Sequence, residues 1–323
     1  MNLRIKKFLA TPFKWKNIWE NFLGNPNFCV VASFHRILPI EHPDYRYTEP
    51  ELAITDGLFA NYVEVLSELT EVLSAKNFVE WAFGRYKAER TASLITFDDG
   101  WRDILDFAVE PLRKLGLPAV VFVCPGSIES GEKSLWFEEA YRLFFKAVER
   151  GKLPKFTGSS DKPKEIAKRT LEELKRKPME ERNRTIDELR GSFCSADEPA
   201  RILSWEDLKR LCEIGIEPHC HTLTHEILTN LSDSEIQSNL KESKKLINER
   251  VGFSPNLLAY PNGEADERVA KIAQSCGFEA AFTTDDVRVV RGKINPFFIP
   301  RRVMSQTTAP AKSLFVWKLL GLP

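Results

Sequence analysis

The nine residues ASLITFDDG, at positions 92–100, run from a small apolar stretch straight into two adjacent carboxylates. Ala92 to Phe97 has the apolar character of a buried strand. Asp98 and Asp99 stand side by side where that strand ends. Neighbouring like charges repel, so the pair needs solvent, a capping role or a cation to hold it. Taken alone, Asp98, Asp99 and Gly100 also fit a turn followed by an N-cap for a helix starting near Trp101.

Similar apolar runs recur at 28–34 (FCVVASF), 118–123 (PAVVFV), 256–260 (NLLAY) and 279–283 (EAAFT), with a further candidate at 297–303 (FFIPRRV). Amphipathic helical patterns fall between them, at 59–73, 104–116, 233–250 and 266–277. Several end on Gly, which suits a left-handed C-cap, and Ser204 in SWEDL reads as an N-cap. This alternation of strand and helix argues for a parallel α/β sheet or barrel. Residues 136–200 break the rhythm, being helical in pattern, highly charged and free of strand signals. They read as a helical insertion on the barrel rim, with the charges on a solvated face. The chain thus divides into a basic, helical segment at 1–27, a barrel at 28–305 carrying the insertion, and a tail at 306–323.

The 323 residues are 43% apolar with a formal net charge of zero. That supports a sizeable core and gives no reason to expect a nucleic-acid partner. Six cysteines are dispersed without a CxxC pair, so a reducing, cytoplasmic compartment is expected rather than a disulfide framework. The N-terminus lacks the apolar core of a signal peptide. Both termini mix basic and aromatic residues, which suits either a helix packed on the domain or peripheral contact with an anionic membrane surface.

Three of the five histidines lie in EPHCHTLTH, residues 217–225. His221 and His225, four apart, share a face if the segment turns helically, and two such imidazoles suit Zn²⁺ or another borderline metal. They also fit as turn histidines after a strand. Two histidines leave a metal short of ligands. TFDDG offers carboxylates at a strand end, where barrel sites are built. One aspartate can then ligate while the other serves as a general base. His35 ends the run VVASFH. It fits a hydrogen-bonded structural role or, facing the site, an acid for a leaving amine. AYPNG, residues 259–263, is turn chemistry that can also line a groove and aim a backbone N–H at a developing oxyanion.

TFDDG, HTLTH and AYPNG, in this order, resemble the first three motifs of the polysaccharide deacetylases, the carbohydrate esterase family four. The resemblance spans about Phe28 to Val303 and implies an irregular (β/α) barrel of about seven strands with a helical insertion. It implies Asp99, His221 and His225 as ligands of a divalent metal, Zn²⁺ by preference. It further implies Asp98 as general base and the Asn262 N–H as oxyanion donor. The late Leu-x-His motif of typical members is absent. FHRI, residues 34–37, is similar to the strand from which the poly-N-acetylglucosamine deacetylase subgroup takes its acid His, which points to His35. The Arg that usually steadies the base is replaced by Ala259, leaving Arg301 or Arg302 as substitutes. Tyr is usual where Asn262 stands. His219 and Cys220 replace smaller residues before the His motif, in a packing or supporting role, unless they tune the site or add a ligand. The implied activity is removal of an N-acyl group, acetyl above all, from an amino sugar, with a carbohydrate as partner. A deformylase or amidohydrolase acting on a lipid- or nucleotide-linked sugar is the neighbouring alternative. A glycan-binding relative without turnover is the third.

Overall fold

The computed structural model describes residues 24–152, 162–193 and 201–311, together with Phe315 and Lys318. Its centre is a curled sheet of seven parallel strands: β1 (Phe28–Phe34), β2 (Ala92–Phe97), β3 (Ala119–Val123), β4 (Ile216–Cys220), β5 (Leu257–Ala259), β6 (Ala280–Phe282) and β7 (Arg302–Val303). They lie side by side in the order β7-β1-β2-β3-β4-β5-β6. The chain from Ile299 to Val303 closes the curl. Ile299 bridges to Phe282 of β6, and Arg302 and Val303 pair with Ala32 and Ser33 of β1. The molecule is therefore an irregular α/β barrel joined by a very short last strand.

Ten helices are described: α1 (Asp56–Leu69), α2 (Ala75–Ala82), α3 (Val109–Leu115), α4 (Pro125–Glu129), α5 (Trp136–Glu149), α6 (Pro163–Lys175), α7 (Met179–Phe193), α8 (Trp205–Glu213), α9 (Asp233–Val251) and α10 (Glu267–Ser275). Ser204 opens α8 with a full capping box, reciprocated by Asp207. Gly116 and Gly252 end α3 and α9 in the left-handed conformation. The helical pattern at 104–116 is split, because Ile104–Ala108 forms a π-helical turn before α3. β4 was not anticipated among the apolar runs, since Glu217, Pro218 and His219 dilute its pattern; it is seated by pairing with β3 along its whole length.

β1, β2, β3, β5 and β6 each feed two cores, which explains why their runs read as continuously apolar rather than alternating. Val30, Ala32, Ile95, Phe97 and Val121 face outward under α1, α3, α8, α9 and α10. Cys29, Val31, Leu94, Val120 and Phe122 face into the curl, which Phe78 and Trp81 of α2 and Phe282 fill. Towards the C-terminal strand ends that inner face turns polar. Val31 beside Leu94 gives way to Ser33 beside Thr96, and then to His35 and Asp98. A third cluster joins α5, α6 and α7 to Trp101.

The basic segment expected at 1–27 lies almost entirely outside the described residues, as does most of the tail. Within that tail, Phe315 is buried and stacks on Tyr62 of α1 at 3.8 Å. Among the described residues no helix is long and apolar enough to cross a membrane, and the five described cysteines are free thiols.

Gly100 shows how tightly the strand ends are fitted. Its φ is +71°, and a Cβ there would lie 2.9 Å from Cγ1 of Val123. Gly116, at φ +64°, faces open space. In urea unfolding, Gly116→Ala is expected to cost about 1 kcal/mol for its backbone alone. Gly100→Ala should cost about 1–3 kcal/mol more, from the forced repacking of Val123.

Candidate active site

The curl brings the polar ends of β1, β2 and β4, the turns after β5 and β6, and Val303 of β7 into one cleft of about 190 Å³. His35, Asp98, Asp99, His221, His225 and Asn262 all line it. Phe137 of α5 and Lys175 of α6 add walls from the helical insertion, with Glu49 and Glu51 beside them.

Asp99 is held at φ +72° and is followed by Gly100 at +71°. Two successive left-handed residues turn the chain sharply, and Gly100 passes its carbonyl to the N–H of Leu203. Neither aspartate caps a helix: the next helical segment has Asp103 at its N-cap position, with no side-chain cap bond. The turn alone therefore does not explain the pair.

The two histidines are not on a helix either. The chain leaves β4 in a turn in which Thr222 and His225 both have positive φ, +63° and +60°. Several bonds fix it. His221 N–H donates to Val123 O, Leu223 N–H to Asn239 Oδ1 of α9, and Glu226 N–H to Thr222 Oγ1. Trp136 of α5 donates its indole N–H to His225 O at 3.4 Å. Non-glycine residues at positive φ store about 1–3 kcal/mol each, and such strain collects at functional sites.

Asp99, His221 and His225 converge with their ligand atoms within 4.8 Å of one another, all buried. Nε2 of His221 and Nε2 of His225 lie 3.3 and 3.5 Å from Asp99 Oδ1. The remaining atoms are largely committed. His221 Nδ1 faces Ala259 O at 2.8 Å, so Nδ1 donates there and Nε2 is turned towards Asp99. Burial lowers this imidazole, but the carboxylate of Asp99, with that of Asp98, outweighs it and raises the ring above its ordinary value. Asp99 Oδ2 accepts from Trp101, while Oδ1 is buried with no hydrogen-bond partner. Burial opposes ionisation of Asp99, but the imidazoles hold its carboxyl well below the usual carboxylate range. Burial pushes His225 down to about 3, so its ring is neutral, as a ligand must be. An orphaned carboxylate oxygen facing two imidazole nitrogens fits a divalent cation of the Zn²⁺ type.

Asp98 points the other way, onto Arg301. The guanidinium gives Nη1 to Oδ1 at 2.6 Å and Nη2 to Oδ2 at 2.7 Å. Arg301 is fully buried, with Nε donating to Thr283 O and the ring faces of Phe122 and Phe282 beside it. Desolvation raises the Asp98 carboxyl, but Arg301, and then His221 and His35, outweigh it and leave it below the usual range. Arg302 turns outward to Asp286. His35 Nε2 lies 3.6 Å from Asp98 Oδ2, and its Nδ1 has no hydrogen-bond partner. His219 stands apart from the trio. It is buried between Phe122 and Phe253, and its Nδ1 accepts from the N–H groups of Asn256 and Leu257. Asn262, at φ +57°, forms the turn after β5. Trp101, Arg36 and Phe137 were missed by the motif reading. Only the position of Arg36 directly after His35 offered a signal.

A family model described as polysaccharide deacetylase matches residues 85–281, more than half of the chain. The chain is 30% identical over 83 residues to YxkH of Bacillus subtilis (strain 168), a protein named for that family. The match takes in 26% of this chain and 30% of that protein, so it spans under a third of the relative's length. Among solved structures, the Streptococcus pyogenes deacetylase PplD in complex with acetate superimposes with a TM-score of 0.64 at 15% identity, covering 91% of this chain and 99% of that one. IcaB from Ammonifex degensii gives 0.61 at 18%, covering 91% and 97%. At these identities the likeness shows a shared fold.

Arg301→Gln would leave Asp98 buried and unpaired, at an expected cost of about 3–5 kcal/mol in chemical unfolding. Adding Asp98→Asn should recover part of that loss, so the double mutant is less destabilised than the sum of the singles.

Proposed function

We propose that this chain, which belongs to the polysaccharide deacetylase family, hydrolyses an N-acetyl group from an amino sugar of a polysaccharide or glycan precursor. Asp99, His221 and His225 would hold the divalent cation, Zn²⁺ by preference. The observation that carries the reading is the meeting, in one cleft, of a buried Asp-His-His trio, an Arg-held carboxylate and His35.

When bound, the cation supplies polarisation of the acyl carbonyl and a lowered pKa for the attacking water. Asp98, kept ionised by Arg301, takes a proton from that water as the new C–O bond forms. Because both carboxylate oxygens are gripped by one planar fork, the base is held in a single orientation. The Asn262 N–H donates to the carbonyl oxygen as it gains charge. The amide C–N bond then breaks, and His35 delivers a proton to the departing sugar amine, leaving acetate and an amino sugar. In this scheme His35 plays the part of the late histidine that the chain lacks, in the manner of the poly-N-acetylglucosamine deacetylase subgroup. Phe137 and Tyr260, on the cleft walls, help to keep bulk water from the reacting atoms.

Acetate release from N-acetylated oligosaccharides tests the scheme. Asp98→Asn and His35→Asn should each lower kcat by about 10²–10⁴-fold with little change in KM. A wild-type rate in Asp98→Asn would rule out this base. A second expectation concerns the cation. Chelation should abolish turnover, and added Zn²⁺ should restore it in the wild type but not in His221→Ala.

A further inference from the structure

We propose that Trp101, braced by Arg36, is the positioning residue that selects which oxygen of Asp99 faces the cation. The proposal rests on the reading of Asp99 as a metal ligand. Trp101 lies two residues beyond Asp99 and is 1% exposed. Its Nε1–H donates to Asp99 Oδ2 at 3.1 Å. That bond fixes the rotation of the carboxylate. Oδ2 is occupied by the indole, and Oδ1 is left without a partner in front of the two Nε2 atoms. A carboxylate free to rotate would present either oxygen and lose affinity through the freedom it retained. Hydrogen bonds to ligating groups commonly serve to remove that freedom.

The indole is itself held. The Arg36 guanidinium carbon lies 4.5 Å over its ring, and Arg36 is 2% exposed. The edge of this fork is fully engaged. Nε meets Asp103 Oδ2 at 2.5 Å, Nη1 meets Glu138 Oε1 at 2.6 Å, and Nη2 lies 3.6 Å from Asp44. With its edge fixed by three carboxylates, the guanidinium presents a rigid cationic face to Trp101. A cation over an indole is attractive and draws electron density from the ring, which makes the N–H a stronger donor. Burying so many charges is costly, and such clusters are weak evidence for stability. A role in holding one side chain in one place accounts for the expense.

The brace also touches the other catalytic elements. Arg36 follows His35 directly, and strand alternation sends His35 towards Asp98 and Arg36 to the opposite side. Glu138 follows Phe137, whose ring lies 4.4 Å from that of His225. Arg36 thus links the β1 end to the insertion helix α5 across the indole that holds Asp99.

Metal binding, read without turnover, tests the idea. The full chain is stripped of metal and titrated with Co²⁺, following its visible absorption, with a competing chelator to set the affinity. Trp101→Phe keeps an aromatic ring and removes the donor. It should bind Co²⁺ about 10–100-fold more weakly, with an altered absorption band, while retaining the wild-type far-UV circular dichroism. Co²⁺ affinity within about twofold of wild type, with an unchanged band, would overturn the proposal, because second-sphere bonds of this kind are worth far more. If Trp101→Phe does not fold, Arg36→Lys, which keeps the charge and loses the flat face, is read by the same two outcomes. Loss of Co²⁺ binding in His221→Ala is the separate check on the ligand assignment. Retention there would remove the underlying reading rather than the role of Trp101.

Discussion

The ion pair between Arg301 and Asp98 is the constraint on which the rest depends. Both groups are out of water, and neither is tolerable there without the other. Arg301 sits in the segment that joins β6 to β1, so the bond that closes the sheet and the bond that orients the carboxylate belong to the same five residues, Ile299 to Val303. Closing the barrel elsewhere would leave a bare carboxylate inside it. The polar layer at the strand ends, from Ser33 and Thr96 upward, surrounds this pair and gives the carboxylate its remaining neighbours.

Around that pair the loops share a common device. Each proposed ligand has a second atom or face engaged by a neighbour. Asp99 gives Oδ2 to Trp101, His221 gives Nδ1 to Ala259, and His225 rests against Phe137. The atoms left over converge. Left-handed backbone at Asp99 and His225 makes the convergence possible, because neither a strand nor a helix would aim consecutive side chains so tightly. The strain is supported by anchors on β3, α5 and α9, which do not themselves reach the cleft floor.

Much of this was legible in the amino-acid order, and the exceptions have physical reasons. The strands that are buried on both faces announced themselves as apolar runs, and Ser204 signalled its helix by side-chain chemistry alone. β4 did not, because Glu217, Pro218 and His219 interrupt it and only pairing with β3 makes it a strand. The spacing of His221 and His225 suggested a helical face, whereas the chain makes a turn with two residues at positive φ. That outcome depends on bonds to Val123 and Asn239, which no local pattern contains. The choice between Arg301 and Arg302 was likewise open in sequence. It is decided by the turn of the backbone into the last strand, which sends Arg301 inward to Asp98 and Arg302 to Asp286. Trp101 carries no motif and Arg36 is only a neighbour of His35 within FHRI, since their role arises from contact between segments far apart in the chain.

The pairing of Asp98 with Arg301 spans 203 positions. Chains emerge from the ribosome from their N-terminus, and contacts between distant segments form late and slowly. While the chain is being made, β1 to β6 can assemble, but Asp98 lacks its guanidinium partner until Arg301 has left the exit tunnel. The segment that leads into the last short strand therefore completes the charge balance of the interior. A nascent or truncated chain ending before it would have most of the sheet and all three proposed ligands. It would lack the one residue that lets the carboxylate beside them stay charged in the interior.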